Sequence, residues 1–165
     1  MANWCSNQII FSGSNLNKVD MLFDELIKEQ DESGLGVRPK WKSCEKYDAR
    51  YMFSIDKTDI GCYTFETKWS PALDTVMLIG RKFNVSFDIH WDEPGNGLYG
   101  KATFSPNIKD VLTVRDASSV NFRYDDDTGL YIYNGEEYES EYDFIDDLID
   151  SMTPSTINKS QILQT

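Results

Sequence analysis

Histidine occurs once in this chain, at position 90, proline five times and cysteine three times. One histidine leaves a Ser-His or Cys-His catalytic pair a single possible base, and no nucleophile-elbow glycines accompany a serine. No catalytic residue is assigned. Cys5, Cys44 and Cys62 are odd in number and widely spaced, which suits reduced thiols better than a disulfide framework. With His90 they make up a Cys₃His set, but no two of them have the roughly two- to four-residue spacing of zinc sites, so neither metal nor cofactor is expected. No run approaches the roughly 18 to 20 apolar residues that span a bilayer. The first residues, Met1-Ala2-Asn3-Trp4-Cys5, carry neither the basic nor the apolar region of a signal peptide. The expected address is the cytoplasm, with no membrane partner.

Basic charge is also scarce, and it is scarce in one place. Of a net charge of −12, residues 1–115 hold 16 Asp and Glu against 14 Lys and Arg, whereas residues 116–165 hold 12 against 2. Nucleic-acid affinity rests on Lys and Arg neutralising phosphates, so a lobe of this sign argues against direct nucleic-acid or anionic-membrane binding. It favours a basic protein partner.

Apolar material is plentiful: 40% of residues are hydrophobic and 13% aromatic in a chain of 165, enough for a core without metals or disulfides. A short apolar run over residues 8–12 closes at Gly13. Asn15 is placed to cap a helix over residues 16–29, whose Leu16, Val19, Leu22, Phe23, Leu26 and Ile27 recur at three- and four-residue spacing. Residues 30–50 read as a long charged connection. Alternation of Tyr51, Phe53 and Ile55, a turn at 58–61, and alternation of Tyr63, Phe65, Thr67 and Trp69 predict a hairpin. Ser70 and Pro71 open a second helix ending near Phe83. A strand over 84–91 then points Val85, Phe87, Ile89 and Trp91 one way and Asn84, Ser86, Asp88 and His90 the other.

This βαββαβ order predicts an α+β fold of the ferredoxin-like kind, an antiparallel sheet with both helices on one face and the other face open. Strands at 98–105 and 111–115 extend it, and strands at 121–124 and 130–133 flank Asp125-Asp126-Asp127-Thr128-Gly129, with a further turn at Asn134-Gly135. A C-terminal acidic helix starts at Ser140, capped with Asp143, carries Phe144, Ile145, Leu148, Ile149 and Met152 on one stripe, and stops at Pro154. The expected organisation is a ferredoxin-like domain with its sheet extension over 1–115, an acidic hairpin-plus-helix lobe over 116–152, and a loose tail over 153–165.

Three stretches carry a resemblance: Asn3-Trp4-Cys5-Ser6-Asn7, then Phe65-Glu66-Thr67-Lys68-Trp69-Ser70-Pro71, then Trp91-Asp92-Glu93-Pro94-Gly95-Asn96 with Tyr99-Gly100. Together they resemble the YubB-type ferredoxin-like family of plasmids, prophages and phages, over residues 1–105. The resemblance implies a ferredoxin-like domain in a protein of mobile genetic elements, acting in the cytoplasm of a bacterial host. It implies no catalytic residues.

Two candidate sites follow. Glu66, Asp88 and His90 fall on the open sheet face and form a candidate site for a small or nucleotide-like ligand, or less favourably an enzyme site with a carboxylate or His90 as base. An exposed polar sheet face is the plainer reading of the same residues. Asp125, Asp126, Asp127, Asp143, Asp146, Asp147 and Asp150 form a candidate docking surface for a basic host protein, such as a defence or nucleic-acid-binding factor; solubility alone also explains them. The aspartate run lacks the alternate acidic positions and twelfth-position glutamate of a calcium loop, and reads as an acidic turn.

Overall fold

Alternating burial organises the first strand, β1 (Trp4–Ser12), whose Cys5, Asn7, Ile9 and Phe11 face a core while Ser6, Gln8 and Ile10 face away. The computed structural model describes residues 3–95, 97–106, 111–117 and 122–157. After β1 come α1 (Leu16–Ser33), the short α2 (Lys42–Lys46), the hairpin β2 (Phe53–Asp59) and β3 (Cys62–Lys68), α3 (Leu73–Phe83) and β4 (Ser86–Glu93). Strands β5 (Leu98–Ser105) and β6 (Val111–Asp116) follow. A separate three-stranded meander is built from β7 (Arg123–Asp125), β8 (Leu130–Tyr133) and β9 (Glu136–Tyr138), and the chain continues through α4 (Tyr142–Ser151) to β10 (Ser155–Ile157).

The main sheet has seven strands in the order β10-β6-β5-β4-β1-β3-β2, with every neighbouring pair antiparallel. Its inner part, β4-β1-β3-β2, is the strand order of a ferredoxin-like βαββαβ unit, and α1 and α3 cover one face. Phe11, Phe23 and Tyr63 meet at the centre of that core, Phe23 stacked on Tyr63 at 3.7 Å between centroids. Glycine at 80 lets α3 approach β5, because a Cβ there would lie 2.9 Å from the Phe104 ring.

Several local expectations change. Asn15 makes no cap bond; its side-chain amide donates across to the Phe83 carbonyl at 2.8 Å, tying the start of α1 to the end of α3. Pro71 lies ahead of α3, whose N-cap is Ala72. Ile55 of β2 is buried as expected, but ahead of it Met52 is buried and Tyr51 is 49% exposed, because the strand is bulged between Phe53 and Asp56 with Ser54 at φ +49°. Trp69 ends the β3 alternation at φ +72° and is 51% exposed. The connection over 30–50 is built in: α1 runs on to Ser33, Val37 bridges Met52, and Cys44 and Ala49 are buried. Residues 155–157 pair with β6 instead of forming a loose tail; residues 158–165, and residue 121 of the expected strand, lie outside the described residues.

Candidate functional site

Cross-strand register fixes what lies on the second sheet face. Gln8 pairs with Thr64 on one side and His90 on the other, His90 pairs with Lys101, and Lys101 with Arg115, giving a polar row across five strands. Beside it runs a second row, Glu66, Ser6, Asp92 and Tyr99. This face was expected to be open, and in part it is not. The apolar stripe of α4 needs burial, and it lies over β5 and β6, where Phe144, Ile145, Leu148 and Ile149 close a second core with Tyr99, Ala117 and the tyrosines of the meander. Lys101 and Asp150 form an ion pair across that contact.

Between α4 and the uncovered part of the face lies a cleft of about 290 Å³, lined by Ser6, Gln8, Thr64, His90, Asp92, Tyr99, Tyr142 and Asp146 among others. Burial pushes the Asp92 carboxyl above the ordinary carboxylate range, and the charge of Glu141 pushes it further, against a hydrogen bond from Ser6. Tyr99 is raised by burial and by its 3.0 Å hydrogen bond to the Glu141 carboxylate. Tyr142, also raised chiefly by burial and then by Asp92 and Glu141, is 57% exposed at the rim. Hydroxyls, an amide, an imidazole and carboxyls therefore converge on one small opening, a lining suited to hydrogen-bonding a polar ligand.

Of the three sheet-face residues singled out from sequence, His90 alone lines this cleft. Glu66 lies two strands from β4, where Ser54 donates to it at 2.9 Å, and Asp88 lies one step further along β4, in the row of Ile10 and Cys62. Asp92, Tyr99, Glu141 and Tyr142 were not singled out. Strand parity puts Asp92 on the face of His90, so that residue was accessible from sequence; the packing of α4 over the sheet was not, because an apolar stripe does not name the surface it covers.

The acidic candidates divide by what holds them. Asp125 shapes its own turn, accepting the Asp127 and Thr128 amides at 3.0 and 3.3 Å, and Arg123 donates to it at 3.3 Å. Asp143 accepts the Ser140 amide at 3.0 Å while Ser140 accepts that of Tyr142, a reciprocal brace at the start of α4. Asp150 is paired with Lys101. Asp126, Asp127, Asp146 and Asp147 are exposed carboxylates held on structured elements. The cysteines do not converge: Cys5 and Cys44 are buried, and burial pushes the Cys5 thiol up to about 12. Among the described residues no group of three or more His, Cys, Asp or Glu side chains is arranged to hold a metal ion, and no helix among them is long and apolar enough to cross a membrane.

The stretches that carried the family resemblance meet at one end of the sheet. Asn7, buried between β1 and β3, donates to the carbonyls of Cys5 and Phe65 and to the Thr67 hydroxyl; Thr67 donates to the Ser70 carbonyl, and the Trp69 amide to that of Asn3. Gly100 sits where a Cβ would lie 2.3 Å from the Trp91 ring. These residues build the fold. No curated protein and no solved structure matches the chain. A family model described as the ferredoxin-like domain in Api92-like protein matches residues 46–142, from the end of α2 through the meander. The chain therefore belongs to the family of the ferredoxin-like domain in Api92-like protein.

Proposed function

We propose that this protein acts by binding, as an accessory protein of a mobile genetic element whose acidic C-terminal lobe docks on a basic surface of a bacterial host protein. One observation carries the reading: the carboxylates of the lobe are mounted on a frame anchored by an apolar core. Phe144, Ile145, Leu148 and Ile149 are buried, while Asp146 and Asp147, on the same helix, are exposed. Asp126 and Asp127 stand on a turn fixed by Asp125. Carboxylates held in this way lose little conformational freedom on docking, and their sign steers encounter with a cationic surface. A protein whose basic face normally meets nucleic acid presents that surface. The mobile-element setting rests on the motif resemblance.

The test is capture from bacterial lysate at low and high salt with the intact chain and with Asp126→Asn, Asp127→Asn, Asp146→Asn and Asp147→Asn combined. These four leave the Asp125 turn, the Asp143 brace and the Lys101 pair in place. A basic protein retained at low salt by the intact chain and lost with the variant supports the reading; equal retention by both contradicts it.

A second reading has its own observation, the cleft under α4 with its convergent polar groups. In that reading a small polar ligand sits between His90, Asp92 and Tyr142. His90→Ala and Tyr142→Ala, both at exposed positions, then abolish a ligand-induced rise in melting temperature without lowering the unliganded value.

A further inference from the structure

Away from the acidic lobe and the cleft, a groove of about 940 Å³ opens beside the start of α3. Tyr47, Arg50 and Tyr51 line it from the chain entering β2, Phe53 from β2 itself, Lys68 from the end of β3 and Asp74 from α3, and the start of β10 borders it. The groove has the size of a small-molecule site.

Two features set its chemistry. The first is positive charge that no ion pair neutralises. Lys57 pairs with Asp20 and Asp24, Lys40 with Glu29 and Lys101 with Asp150. Among the described residues, neither Arg50 nor Lys68 forms an ion pair. Arg50 donates to the Lys68 carbonyl at 3.4 Å, and the Lys68 ammonium stands over the rings of Phe53 and Trp4, at 5.2 and 5.7 Å from their centroids. Two carboxyls line the groove: Asp48 pairs with Arg38 at 3.3 Å, and Asp74 accepts the Thr75 amide at 2.7 Å, burial disfavouring its charged form against the charge of Arg50. The second feature is flat aromatic surface. Tyr51 is 49% exposed and carries the Arg38 guanidinium on its ring at 4.5 Å from the centroid; Tyr47 is half-buried beside it.

We propose that this groove binds a free nucleoside phosphate, the base against Tyr47 and Tyr51 and the phosphate on Arg50 and Lys68. Cations that recognise phosphate and rings that stack on a base are the two halves of such a ligand. A strand of nucleic acid presents the same groups, but it also carries further phosphates, and the 12 acidic residues of positions 116–165 repel them. The site is independent of the proposed docking lobe, and either can fail without the other.

Calorimetry of the intact chain with AMP, GMP, ATP, GTP, inorganic triphosphate and a short single-stranded oligonucleotide tests the assignment. Saturable binding of at least one nucleotide is expected, weakened about tenfold by Arg50→Ala or Lys68→Ala, as loss of a charged hydrogen bond predicts, and weakened by Tyr51→Ala. Lys28→Ala, which removes an exposed positive charge from α1 outside the groove, leaves it unchanged. All three altered residues at the groove are at exposed positions, and matching melting curves show that each variant is folded. The proposal is overturned if no nucleotide binds at millimolar concentration, or if the Arg50 and Lys68 variants bind as the intact chain does. Triphosphate binding as well as ATP, or the oligonucleotide binding more tightly than any mononucleotide, equally overturns it.

Discussion

Asp92 shows how a single side chain reports on its surroundings. Its folded-state value lies above the ordinary 3.8 because burial and the charge of Glu141 both disfavour the carboxylate. The native state therefore holds the proton more tightly than the unfolded chain, and stability falls as pH rises from 3.8 through the raised value. Asp92→Asn removes that loss while keeping an acceptor for Ser6. The expected outcome is a higher melting temperature than wild type at pH 7, with the difference vanishing below the unfolded value; an unchanged or lowered melting temperature at pH 7 argues against a packed α4. Gly100 makes the complementary steric point. A Cβ there would meet the Trp91 ring at 2.3 Å and the Arg115 carbonyl at 2.7 Å, and neither can move away cheaply. Gly100→Ala is expected to lower stability by about 1–3 kcal/mol, read from denaturant unfolding.

Elements were legible in the sequence where one signal was strong. The stripe of α1, the parity of β3 and β4, and the Asn134-Gly135 turn, with both residues at positive φ, all follow from spacing or turn chemistry. Signals failed where tertiary contacts decided the outcome. Asn15 looked like a cap and is a cross-link to Phe83; the Ser54 bulge leaves Ile55 in the core as its alternation predicts but puts Met52 there in place of Tyr51; β10 has three residues and takes its place from pairing with β6. The candidate site suffered most, because only His90 of Glu66, Asp88 and His90 lines the cleft. Its other wall arrives with α4, some fifty residues later in the chain. That helix is held by a core of its own, in which Phe144 stacks on Tyr133 at 5.1 Å and meets Phe122 and Tyr138. Phe144→Ala is expected to cost that lobe about 3–5 kcal/mol. Hydrogen exchange should then show α4 and β7–β9 losing protection well before β1, β3 and β4; uniform loss across the chain would show that the two cores are one cooperative unit.

Across the whole molecule, charge is segregated. The C-terminal lobe gathers the acidic excess, while Arg50 and Lys68 line one groove between the entry to β2 and the end of β3. Net charge alone hid this groove, since a total of −12 speaks to solubility and steering and not to any one surface. The docking reading depends on the other end, and the affinity of a partner captured at low salt tests it most directly. Dissociation constants should be measured at rising ionic strength for the intact chain and for the chain with Asp126, Asp127, Asp146 and Asp147 all changed to Asn. The account predicts a steep loss of affinity with salt for the intact chain, and weak, nearly salt-independent binding for the variant. Superimposable curves for the two chains would contradict it.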